Sequence, residues 1–94
     1  MIRLFCIVDI RGEPPAEDRE KVKAAMKAIG FSTYGIDHWG KCYDLPPSVF
    51  WTACVWPILT VEEDVKTALS ALPGEHGFMV LETIGWTGAL DRTK

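Results

Sequence analysis

Residues 1–12 read M-I-R-L-F-C-I-V-D-I-R-G. Apolar residues run almost unbroken from Ile2 to Val8 before Asp9, and Gly12, Glu13, Pro14 and Pro15 then break the pattern. The stretch therefore reads as a central buried strand that ends in a carboxylate. Because side chains alternate along a strand, Ile2, Leu4, Cys6, Val8 and Ile10 share one face, and Arg3, Phe5, Ile7 and Asp9 share the other. The even face is uniformly apolar and is expected to carry helices. The odd face is mixed, as suits a sheet surface partly covered by a partner.

Downstream of this strand, Pro14 and Pro15 with the acids Glu17 and Asp18 close behind form a helix-start signal, through the missing amide donor and the helix dipole. Val22, Ala25, Met26 and Ile29 recur at i, i+3, i+4 and i+7, with Arg19, Glu20, Lys23 and Lys27 largely opposite, and Gly30 stops the helix. Met26 at this spacing is a core residue rather than a soft ligand. Phe31–Trp39, F-S-T-Y-G-I-D-H-W, has the aromatic and β-branched content of a strand, with Ser32, Gly35, Asp37 and His38 placing it near an edge. Gly40–Pro47 reads as a stiff connector longer than a tight hairpin turn.

Ser48–Trp56, S-V-F-W-T-A-C-V-W, is apolar on both faces, which asks for a helix layer on one side and other cover on the second. Pro57 breaks it. Thr60 with Glu63 then forms a capping-box pattern opening a second helix, whose buried stripe is Val65, Ala68, Leu69 and Leu72 and whose stop is Pro73 with Gly74. Phe78–Ile84 is the last strand, and residues 85–94 are an irregular tail. The order strand, helix, strand, strand, helix, strand predicts an α+β, ferredoxin-like βαββαβ sandwich, a four-stranded antiparallel sheet with two helices on one face. The open face would hold Phe5, Ile7, Asp9 and one face of the third strand, and pairing of two copies through it is the economical expectation.

The 94 residues make a single domain. An apolar share of 48% with four tryptophans exceeds what periodic segments this short can hide, so some aromatic surface is expected to meet another chain. Phe5, Ile7, Trp51 and Trp39 are the candidate interface residues. The net charge of −3 disfavours RNA or DNA as the main partner, because gripping a phosphate backbone takes clustered Lys and Arg. Cys6, Cys42 and Cys54 are odd in number and form no C-x-x-C, which supports neither a disulfide framework nor a zinc site and fits a reducing cytoplasm. No signal-peptide pattern and no apolar run near the roughly 20 residues of a membrane span are present, so a soluble cytoplasmic protein without a membrane partner is expected.

Asp9 is the one acid within the opening strand. If two copies pair through the open face, their Asp9 carboxylates could approach and share a divalent cation, magnesium or manganese, for which hard oxygen ligands are suited. The plainer alternative is that Asp9 ends the strand and caps the turn before the helix. His38 with Asp37 and Asp44 could supply a base or further ligands. Strand neighbours point to opposite faces, however, so Asp37 and His38 cannot both face one site without a bulge, and His38 reads as solvated or stacked on an aromatic ring. Cys6 and Cys54 read as inert core. Phosphate loops, nucleophile elbows and H-E-x-x-H are absent from the sequence. An RNA-recognition sheet has the same strand order, but S-V-F-W-T-A-C-V lacks the basic residue, glycines and aromatic spacing of its motif.

With these residues in view, I-V-D-I followed by D-R-E-K-V-K-A-A-M-K-A-I-G-F resembles the small CRISPR-adaptation nuclease-fold proteins, whose first strand ends in an aspartate and whose first helix is basic at its start and ends in glycine. The later part, from F-S-T-Y-G-I-D-H-W through P-S-V-F-W-T-A-C-V to W-T-G-A-L, looks more like relatives of that fold. These include the endoribonuclease antitoxins of type V toxin–antitoxin systems and stand-alone bacterial or phage proteins. The resemblance implies a ferredoxin-like homodimer. In some members it implies metal-dependent cleavage of RNA or DNA by the aspartate matching Asp9, and in others a non-catalytic partner-binding subunit. The chain departs from the adaptation proteins in lacking their aromatic, glutamine and serine run before a V-F pair, and in its acidic pI of about 5.3. The leading expectation is a dimeric regulator or inhibitor acting by protein contact; the alternative is a metal-dependent endoribonuclease or other nuclease using paired Asp9.

Overall fold

The computed structural model describes residues 2–9, 16–72 and 76–85. Its elements in chain order are β1 (Ile2–Asp9), α1 (Ala16–Ala28), β2 (Tyr34–Ile36), β3 (Cys42–Asp44), β4 (Val49–Cys54), α2 (Ile58–Ser70) and β5 (Gly77–Thr83). The fold is a small α+β arrangement of two helices with antiparallel strands. The opening strand is central: β1 lies between β4 and β5 and pairs antiparallel with both. The Pro14–Pro15 helix start, the Pro73–Gly74 stop and the tail beyond Gly85 lie outside the described residues.

The even face of β1 carries the core. Leu4, Cys6 and Val8 are buried together with Val22 and Met26 of α1, Phe50 of β4 and Val61, Val65 and Leu69 of α2, with Phe31 completing the cluster. Each helix thus buries the stripe that its 3.6-residue period sets, against the apolar face that the two-residue period of β1 sets.

Gly30 ends α1 as its position suggests, and the geometry explains why glycine stands there. Its φ is 97°, the left-handed region that side-chain-bearing residues avoid. The Gly30 amide donates to the Lys27 carbonyl at 3.0 Å, and the Phe31 amide donates to the Met26 carbonyl at 3.0 Å. These are the two bonds of a Schellman closure, and Phe31 and Met26, both in the core cluster, supply its apolar contact.

Three expectations need correction. The four-stranded sheet is the first, because the main sheet has three strands, ordered β4-β1-β5. The segment expected as its second strand meets β4 only at an isolated bridge, where Ser32 and Trp51 exchange backbone hydrogen bonds of 2.7 and 3.0 Å. Beyond it the chain forms a separate two-stranded hairpin, β2 with β3. Part of what reads as connector, Cys42–Asp44, is therefore strand, and Phe31–Trp39 contributes only Tyr34–Ile36 to the hairpin. Residues 37–40 make the turn.

The second correction is the capping box. α2 begins at Ile58 with Pro57 at its N-cap and no side-chain cap hydrogen bond. Thr60 lies inside the first turn, where its own amide donates to the Pro57 carbonyl at 3.0 Å. The early start rotates the buried stripe to Val61, Val65 and Leu69, with Ala68 and Leu72 only half-buried. The third is the extent of the tryptophan-rich strand: β4 stops at Cys54, leaving Val55 and Trp56 exposed beyond its end.

Candidate functional site

Directly opposed residues in an antiparallel sheet lie on one face. On the odd face, Ile7 stands between Val49 and Met79, Phe5 between Trp51 and Leu81, and Arg3 between Ala53 and Thr83. Asp9 stands opposite Gly77. The β1–β5 half of this face is open and apolar: Ile7 is 42% exposed, Met79 58% and Leu81 38%. Its two ends are charged and exposed, with Arg3 at one and Asp9 at the other.

Asp9 therefore lies where the alternation of the opening strand places it, exposed on the odd face. The glycine across from it matters to its surroundings, since a Cβ at position 77 would stand 3.5 Å from the Asp9 Cβ and 3.7 Å from its Oδ2. Without that side chain, a cavity of about 290 Å³ opens beside the carboxylate, walled by Ile7, Phe78 and Met79. Among the described residues, no three His, Cys, Asp or Glu side chains gather where they could hold a metal ion.

The structure does not bring the four candidate interface residues together. Phe5, half-buried, and Ile7 share the odd face. Trp51 shares it by register but is only 7% exposed, because its backbone is the point where Ser32 joins β4 and β2 lies against that strand. Trp39 is 68% exposed but sits in the hairpin turn, apart from the sheet.

That turn has its own logic. The Gly40 amide donates to the Asp37 carbonyl at 3.0 Å, and Gly40 adopts a φ of 82°. Asp37 Oδ1 accepts the amides of Trp39 at 2.9 Å and Lys41 at 2.8 Å. An aspartate opening a turn and a left-handed glycine three residues on are the residue types such hairpins use. The signal lies in D-H-W-G, overlapping the end of the aromatic-rich stretch Phe31–Trp39. Burial alone would raise the Asp37 pKa. The Lys41 and Trp39 amides, the Tyr43 hydroxyl and the Lys41 charge outweigh that and hold it below the ordinary carboxylate value.

Asp37 is thus committed to its turn, and Asp44 is paired in register with Tyr34 in the hairpin. His38 is exposed and packs edge-on against Trp39, with ring centroids 5.5 Å apart, in keeping with an aromatic-stacked histidine. A Cβ on Gly85 would approach His38 Nδ1 to 3.0 Å, so the hairpin turn neighbours the exit of β5. The hairpin starts at the β4 side of the sheet and reaches back toward the β5 side. Cys6 is fully buried, and burial pushes its thiol up to about 12, which makes it inert near neutrality. Cys54 is half-buried, and its Sγ lies 3.6 Å from the Trp56 carbonyl.

Compared with models of protein families and with curated proteins, the chain matches none. Among the described residues, no helix is long and apolar enough to cross a membrane.

Proposed function

We propose that the chain is a small ferredoxin-like protein that acts by protein contact, as a regulator or inhibitor of the kind found in phage and defence systems, and pairs with a second copy through the odd face of its sheet. The observation that carries this reading is the contiguous exposed surface of Ile7, Met79 and Leu81 flanking Phe5. Covering apolar surface is favourable by roughly 25 cal/mol per Å², and a patch collected on one flat face is a surface suited to another protein. On this reading the Ser32–Trp51 bridge marks the place of a fourth strand on the outer edge of β4, reduced to one residue pair. Sedimentation of the protein across a concentration series tests it. A dimer that Ile7→Asp dissociates with unchanged circular dichroism is the expected result, and a wild-type monomer at every concentration would overturn it.

A second reading is favoured by Asp9, exposed on the same face and level with Gly77 of β5. It is a metal-dependent nuclease, acting on RNA first, in which paired Asp9 carboxylates hold a magnesium or manganese ion that activates water. Cleavage of labelled RNA and DNA with either metal, lost in chelator and in Asp9→Asn, is what this reading expects. No cleavage by folded protein would remove it.

A further inference from the structure

From the charge pattern of β1 we infer that the second copy packs antiparallel on the odd face, with Arg3 of each protomer entering the cavity beside Asp9 of the other. The inference rests on the face-pairing reading and adds its orientation and its polar contacts. Along β1 the odd residues run Arg3, Phe5, Ile7, Asp9: a cation, two apolar residues and an anion. A two-fold axis can relate two such faces in aligned packing in two ways. If the strands run parallel, Arg3 meets Arg3 and Asp9 meets Asp9, so like charges oppose each other at both ends. If they run antiparallel, centred at Cys6, Arg3 meets the other copy's Asp9 twice and Phe5 meets Ile7. The neighbouring strand agrees, because Leu81 stands level with Phe5 and Met79 with Ile7. Leu81 would then oppose Met79 across the interface, and the pattern is self-complementary in this orientation.

The cavity supplies a second, independent observation. Its walls are Ile7, Phe78 and Met79, its polar group is the Asp9 carboxylate, and Gly77 leaves it open. That chemistry suits an arginine, whose aliphatic stem packs on apolar walls while the guanidinium meets a carboxylate in a planar fork. At the emitting end, Arg3 is flanked across the sheet by the small residues Ala53 and Thr83. In this orientation the two Asp9 carboxylates lie at opposite ends of β1, at least about 20 Å apart over six residues of strand. Each is engaged by a guanidinium, and no cation is shared between them.

Charge exchange tests the arrangement. Arg3→Asp and Asp9→Arg are made separately, both at exposed positions, with circular dichroism to verify folding. Dimerisation is measured by sedimentation for each variant, for an equimolar mixture of the two, and for Ile7→Asp. Each charge variant alone places like charges at both ends and is expected to weaken the dimer by tenfold or more, an effect on the order of 1.4 kcal/mol or greater. The mixture is expected to recover association as a heterodimer, since it restores opposite charges at both ends. Charge variants that dimerise as wild type does, or a mixture that fails to recover, overturn the Arg3–Asp9 pairing while leaving face pairing intact. A dimer that Ile7→Asp does not affect overturns the face reading itself.

Discussion

Cys6 shows how one buried atom sets a pH dependence. Its thiol is fully enclosed between the sheet and the helices, and burial disfavours the thiolate, raising the pKa from 9.0 to about 12. A group whose folded pKa is raised contributes stability that is complete below its unfolded value and is lost as pH climbs toward the folded one. The window is therefore pH 9.0 to about 12, and within it the slope is at most about 1.4 kcal/mol per pH unit. Denaturant titrations at pH 8 and 10 should show wild type losing more stability on alkalinisation than Cys6→Ala does, whatever the absolute cost of the smaller side chain. The burial of Cys6 was legible from the alternation of residues 2–8, as was the exposure of Asp9 on the opposite face. The glycine across from Asp9 was not legible, because that neighbour is set by a strand pairing spanning most of the chain, which no local period encodes.

At the level of elements, the two helices carry contrasting signals. The end of α1 reads directly from sequence, since Gly30 is the residue that a left-handed closure needs, and both of its hydrogen bonds form. Gly30→Ala should cost about 1–2 kcal/mol through backbone strain alone, because nothing lies within 4 Å of a Cβ added there. The start of α2 misleads. Thr60 and Glu63 have capping-box spacing, yet Pro57, its φ locked at −67° by the ring and its ψ extended at 156°, already holds the N-cap and the helix begins directly after it. Thr60→Ala should therefore change stability by less than about 0.5 kcal/mol, where loss of a true cap costs about 1 kcal/mol. Urea unfolding of the two variants side by side separates the cases. The hairpin is hidden in the sequence for a related reason: aromatic and β-branched content argues for strand over the whole of residues 31–39, whereas one Asp37 side chain bonding two amides outweighs that preference at its end.

Across the whole molecule, stability is unevenly shared. β1 is bonded along its length on both edges, whereas among the described residues the β2–β3 hairpin joins the sheet through a single bridge, Ser32 with Trp51. Amides of residues 34–44 should exchange with solvent through local opening, well before those of β1, which require unfolding of the core. The lowered pKa of Asp37 gives the hairpin its own acid limit: its contribution is present above the ordinary carboxylate pKa and is lost as pH falls through the folded value. Protection factors measured at neutral and acid pH should therefore converge on rapid exchange in the hairpin first. The central position of β1 has a consequence for how the chain reaches this state. β1 is the strand on which β4 and β5 both pair, yet these partners come much later in the chain, beginning at Val49 and Gly77. Until those segments have been synthesised, the apolar run Ile2–Val8 has neither edge occupied, and the contacts that close around it are of high sequence separation, a topology that folds slowly for its size. The apolar run of β1 accordingly keeps one edge uncovered until Gly77–Thr83 has been made, and the yield of the protein should respond to holdase chaperones.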